Sequence, residues 1–170
     1  MMSERALKRL EGTSSGSFTL DLRQWLSVIK AYENGGFAYH ATMPTDSIRS
    51  FRDTVMEMKE YGFDKLCDAQ WKLGNKVRGL LKQYGMTSVA SDMYGPPSVV
   101  VCHTADPDIQ NGRKFAERGM QIAACVPLAC NEPDGFMTFR IGLFGLDKLY
   151  DVDAAVARLE NVLEELPDLK

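Results

Sequence analysis

The stretch "FMTFRIGLFG", Phe136–Gly145, reads as a β-strand with an arginine set into an otherwise apolar run. Successive side chains of a strand point to opposite faces, so Phe136, Thr138, Arg140 and Gly142 share one side. Met137, Phe139, Ile141 and Leu143 share the other. A guanidinium cannot shed its charge, and burying it unpaired costs several kcal/mol. Arg140 therefore needs a partner. It can pair with one of the chain's 23 acidic residues or snorkel to solvent at the strand end. It can also receive a ligand carboxylate, which matches the planar two-pronged fork of arginine. Spacing alone leaves all three open.

Outward from this strand, the chain from Met86 onward alternates short strand and helix patterns. "MTSVAS" (86–91) and "PSVVVCH" (97–103) read as strands separated by Gly95-Pro96-Pro97. "ADPDIQNGRKFAERG" (105–119) reads as a helix with Asp106 as N-cap, Pro107 in the first turn and Gly119 past the end. "MQIAACV" (120–126) and "FMTFRIGL" (136–143) are two further strands. In "DVDAAVARLENVLEELP" (151–167), Val152, Ala155, Leu159, Val162 and Leu166 recur at helical spacing. The order β-β-α-β-β-α predicts a two-layer α+β domain, a mainly antiparallel sheet covered by helices.

The first half shows helices and no sheet of its own. "TSSGS" (13–17) is a loop after a short charged helix candidate. "DLRQWLSVIKAYE" (21–33) carries Leu22, Trp25, Leu26, Ile29 and Tyr32 at helical spacing and stops at Asn34-Gly35-Gly36. After an irregular stretch to Pro44, a helix capped by Thr45 or Asp46 carries Ile48, Phe51, Val55 and Met58 on one stripe and ends at Gly62. Asp64 then caps the longest helix, with Leu66, Ala69, Leu73, Val77, Leu80 and Tyr84 in register and Gly85 behind it. Such a segment either packs on something outside this chain or helps to cover the single sheet.

Bulk properties narrow the function classes. The 170 residues are 45% hydrophobic and 25% charged, as in soluble globular proteins, and have room for one ordinary core. A net charge of −3 gives no reason to expect a nucleic-acid or acidic-membrane surface. No apolar run approaches a bilayer span, and "MMSERALKRLEG" holds no signal-peptide core, so a cytoplasmic location is expected. The four cysteines, Cys67, Cys102, Cys125 and Cys130, form no C-x-x-C, and the only histidines are His40 and His103, so no metal site is expected. Cys67 and Cys102 read as small buried hydrophobes, whereas Cys125 or Cys130 could in principle serve as a nucleophile. Phosphate-binding glycine loops and the G-x-S-x-G elbow are absent.

The loop "AYHATMP" (38–44) places the hydroxyls of Tyr39 and Thr42 three residues apart before Pro44. Hydroxyl donors in a constrained loop suit a phosphate, and they are equally ordinary as cap or interface residues. His40 beside them is an acid–base candidate without an assignable carboxylate partner.

In order and spacing these pieces resemble the C-terminal part of class V, fold type I, pyridoxal-phosphate aminotransferases, the alanine–glyoxylate and serine–pyruvate group in particular. The matching pieces are "SFTLDLRQWL", "AYHATMP", the long helix to "LLKQYGM", "PPSVVVCH", and "FRIGLFG" with the terminal helix. The resemblance implies the small C-terminal domain of such an enzyme, residues 46–170, behind a remnant of the large domain and the cofactor-phosphate loop, residues 1–45. It implies that Arg140 holds the α-carboxylate of an amino or keto acid. It implies that Tyr39 and Thr42 reach the phosphate of pyridoxal 5'-phosphate in the neighbouring subunit of a homodimer. The lysine that bonds covalently to the cofactor, and the aspartate that pairs with its ring nitrogen, would lie upstream of Met1. The chain then looks like a piece that does not transaminate alone and contributes no catalytic residue. Where the family commonly has a glycine pair near the substrate, this chain reads "IAACVPLAC" (122–130), which leaves the amino donor open. A 2-aminoethylphosphonate–pyruvate aminotransferase parent and a stand-alone dimerisation or small-acid-binding module are the alternatives.

Overall fold

The structure, a computed structural model, describes residues 2–124 and 129–166. The chain divides into two compact units, Met1–Asp53 and Thr54–Lys170.

In the first unit, α1 (Glu4–Glu11) starts at Ser3, whose hydroxyl accepts from the Ala6 amide at 3.3 Å. Helix α2 (Leu22–Glu33) starts at Asp21, whose carboxylate accepts from the amides of Arg23 and Gln24. Both caps satisfy amide groups that a helix N-terminus leaves free. The Arg23 guanidinium donates to the Thr13 carbonyl at 3.0 Å and ties the 13–17 loop back to α2. The helical stripe forms as the spacing predicts, yet Val28 is the one buried hydrophobic among this unit's described residues. Leu22, Ile29 and Tyr32 stand exposed. Helix α3 (Thr45–Tyr61) begins in this unit, and its Ile48 and Phe51 are exposed too.

The second unit holds the core. Helix α4 (Phe63–Gln83) follows Gly62, which has φ +109°, a conformation that favours glycine. Asp64, expected as its cap, instead lies inside the first turn, where its charge still favours the positive helix end. Strands β1 (Val99–His103), β2 (Ala123–Ala124) and β3 (Thr138–Gly142) form an antiparallel sheet in the order β1-β3-β2. The register places Val101 and Ala123 on either side of Arg140. Val100, Cys102, Phe139 and Ile141 face inward and join Leu73, Val77 and Leu81 of α4. Leu159 and Leu163 of α8 (Val152–Glu164) complete that layer. Gly74 lets α4 meet the chain entering β1, since a Cβ there would lie 2.6 Å from the Pro97 carbonyl oxygen. The α+β class expected from the sequence is therefore what forms, with helices packed on one sheet face.

Several boundaries differ. "MTSVAS" makes only a single bridge, Ser88 to Cys102, before the chain leaves in a 3₁₀ turn at Asp92–Tyr94. Pro96 and Pro97, lacking amide hydrogens, could not continue a ladder there. The single helix expected over 105–119 is two short ones, α5 (Pro107–Gln110) and α6 (Arg113–Ala116). Gly112 between them adopts φ +82°, and the Asn111 side chain caps the restart by accepting from the Arg113 amide. A further short helix, α7 (Leu146–Tyr150), precedes α8. Of "MQIAACV", Ala123–Ala124 is strand, while Cys125 lies outside the described residues, as do 126–128 of "IAACVPLAC" and Pro167. No helix among the described residues is long and apolar enough to cross a membrane.

Candidate functional site

Arg140 sits at the middle of β3, itself the central strand, on the face turned away from the core. Burial falls along that face from Thr138, which is enclosed, through half-buried Arg140 to exposed Gly142. Among the described residues Arg140 forms no ion pair, and its Nε is buried without a hydrogen-bond partner. Of the three readings that spacing left open, the intramolecular ion pair is thus not found among the described residues. A donor of fixed charge in this state has unused capacity for an acceptor such as a carboxylate. The rigid sheet holds its Cα, which suits a binding group better than a loop would.

In the first unit, the 37–44 loop is anchored through His40. Its Nε2 lies 2.7 Å from the Phe18 carbonyl oxygen, so that nitrogen carries the hydrogen and donates. The imidazole stacks obliquely on Phe18 at 4.5 Å and meets the Trp25 ring edge-on at 5.2 Å. The Trp25 indole in turn donates to the Thr19 carbonyl at 2.8 Å. His40, considered from sequence as an acid–base group, is a tether. Phe18 and Trp25, which sequence reasoning left without a role here, position the loop. Their signal is "SFTLDLRQW", where aromatic residues flank the Asp21 cap.

With His40 turned inward, Tyr39 projects outward and is 77% exposed. Its phenol lies 3.2 Å from the Thr42 hydroxyl, a pair that can turn both hydrogens to one anion. The structure thus brings Tyr39 and Thr42 together within the first unit, and it places Arg140 in the second.

The thiols divide differently from the sequence expectation. Cys102 is buried, and burial pushes its thiol up to about 11. Cys67, expected to be a small core residue, is exposed because it falls on the outer face of α4. Cys130 is also exposed, and Cys125 lies outside the described residues. No three His, Cys, Asp or Glu side chains converge as metal ligands among the described residues.

No protein-family model and no curated protein matches the sequence. Solved structures do match the fold. An alanine–glyoxylate aminotransferase from Nostoc sp. superposes with a TM-score of 0.67 at 22% identity over 95% of this chain and 42% of its own. An aspartate aminotransferase from Thermus thermophilus gives 0.64 at 21% identity, over 96% of this chain and 43% of its own. A ureidoglycine–glyoxylate aminotransferase from Bacillus subtilis gives 0.69 at 22% identity, over 95% and 41%. The chain has the fold of the C-terminal part of such aminotransferases and spans about two fifths of their length.

Proposed function

We propose that this chain is the C-terminal part of a class V, pyridoxal-phosphate-dependent aminotransferase that moves an amino group between an amino acid and a small 2-oxo acid. The observation that carries the reading is Arg140, a half-buried guanidinium with an unpartnered Nε on the outward face of the central strand. Its role is to grip the α-carboxylate through two parallel hydrogen bonds and so fix the orientation of the amino or keto carbon. The Tyr39 and Thr42 hydroxyls fit a phosphate, being 3.2 Å apart and exposed, and they would hold the cofactor phosphate of a neighbouring subunit in a homodimer. Pyridoxal phosphate, when bound, supplies the electron-withdrawing ring that makes the amino acid's Cα–H acidic.

Two of the structures described above are named for glyoxylate and one of these for alanine, which supports glyoxylate as acceptor and alanine as donor; pyruvate and a serine-like donor belong to the same proposal. The 170-residue chain alone is inactive in this reading, since none of its lysines stands in the sequence context of the cofactor-bonding lysine. A cytoplasmic location is part of the same proposal.

The test is a titration of the chain with alanine and glyoxylate, beside Arg140→Met. Saturable binding that weakens at least about tenfold in the variant is expected, the loss of a charge-assisted bidentate contact. Binding indifferent to Arg140 overturns the assignment. Formation of pyruvate from alanine and glyoxylate by the purified chain with added pyridoxal phosphate overturns its inactivity.

A further inference from the structure

A groove of about 560 Å³ runs between α4 and the 86–95 segment, with Val100 and Cys102 as its floor. Its volume lies within the range that small ligands occupy. Two polar atoms among its lining residues, Arg78 Nε and Ser88 Oγ, are buried without a hydrogen-bond partner. The guanidinium is anchored by Nη2, which donates to the Pro96 and Val99 carbonyls. Arg78 is thus held in place through Nη2, with Nε and Nη1 left over as donors. Desolvation lowers its proton affinity, a cost that a bound anion would offset. Lys82 adds a second positive charge against the single carboxylate of Asp92, and Trp71 and Met93 form apolar walls.

Gly79 supplies a separate observation. Glycine inside a helix costs roughly 1 kcal/mol relative to alanine. Gly74 is required because the Pro97 backbone approaches it, but a Cβ at Gly79 would meet nothing within 4 Å. Gly79 carries no positive φ and lines the groove. A side chain at this position would project into open space beside the groove.

We propose that this groove binds a small organic acid, its carboxylate on Ser88 and Arg78 and its apolar body between Trp71 and Met93. The site is separate from Arg140 and does not depend on the aminotransferase reading.

Benzoate is the probe, with benzamide as its neutral isostere, followed through the indole N–H resonances of the two tryptophans, Trp25 and Trp71. Benzoate should shift the Trp71 resonance saturably in the low-millimolar range or below and leave Trp25 unmoved. Benzamide should bind at least about tenfold more weakly, since it brings no charge to the guanidinium. Gly79→Leu, which fills the groove on a helix that tolerates it, should abolish the shift. Ser88→Ala should weaken it several-fold, and Arg140→Met should leave it intact. Absence of a saturable Trp71 shift, equal binding of benzamide, or full binding by both Gly79→Leu and Ser88→Ala overturns the proposal. Loss of the shift in Arg140→Met assigns the benzoate to Arg140 and overturns it as well.

Discussion

Phe139 and Phe51 are the same side chain in two different situations. Phe139, on β3, is fully buried and lies 5.8 Å from the ring of Phe115. Phe51, on the part of α3 that belongs to the first unit, is 71% exposed. The contrast extends to whole elements. Helix α4 buries Leu66, Leu73, Val77, Leu80 and Leu81, whereas α2, with an equally regular apolar stripe, buries Val28 alone. Amphipathic spacing specifies a helix and a face; it does not supply what covers the face. Residues 54–170 contain their own cover in the sheet and α8, and within residues 1–53 the apolar residues Phe18, Leu20 and Phe37 stay in solvent.

Truncation at the two phenylalanines should give the largest difference. Phe139→Ala removes a ring from a closed core, and a loss of about 3–5 kcal/mol is expected in urea unfolding. Phe51→Ala removes an exposed ring, and a change within about 0.5 kcal/mol is expected. Equal effects at both sites would show that the first unit has a cover after all.

Hydrogen exchange sharpens the same contrast along the backbone. The amides of α4 from Leu73 to Leu81 should exchange only through global unfolding. Those of α2 should open locally and exchange roughly a hundredfold faster or more, because little apolar contact secures them. Uniform protection across both helices would remove the distinction.

The thiols report on the second unit by chemistry instead of by size. Cys67 and Cys130, both exposed, should alkylate readily at pH 8, and Cys102 only upon unfolding. The burial that raises the Cys102 thiol to about 11 also sets a sign for stability. Its folded value lies above the unfolded one, near 8.5, so the contribution is fully present below about pH 8.5. It falls as pH rises toward 11. A Cys102→Ala variant should lose that alkaline slope, and an unchanged slope would assign it to other groups.

Much of this was legible in the sequence, in places where one residue type carries one physical duty. The Asp106 cap, the stop at Gly62 and the division of β3 into two faces all followed from residue chemistry and spacing. The separation of Arg140 from Phe139 and Ile141 followed from the same alternation, whereas which face turns to the core did not. Legibility failed where tertiary geometry decides. Nothing local in "IQNGRK" says that Gly112 will take a left-handed turn and split a helix, since asparagine–glycine is tolerated near helix ends as well as between helices. Nothing in "AYHATMP" says that His40 turns inward onto Phe18 and Trp25, because its partners lie 22 and 15 residues upstream. The pairing of Tyr39 with Thr42 depends on that anchor.

The smallest expected effect is the one that bears most on the site. An arginine held by a carboxylate partner in a half-buried position is costly to remove, because the abandoned carboxylate keeps its desolvation penalty, typically about 3–5 kcal/mol for a buried pair. Arg140 leaves no such orphan behind among the described residues, and its own Nε is already without a partner. Arg140→Met keeps much of the aliphatic length of a side chain whose strand neighbours are Val101 and Ala123, while deleting the charge. Its unfolding free energy in urea should therefore stay within about 1 kcal/mol of the parent, with a small gain the expected direction. A loss of about 3 kcal/mol or more would mean that the guanidinium has a structural partner in the protein, and the case for a carboxylate receptor would lose its main support. Unchanged stability together with lost carboxylate binding is the combination that a binding arginine gives and a structural arginine cannot.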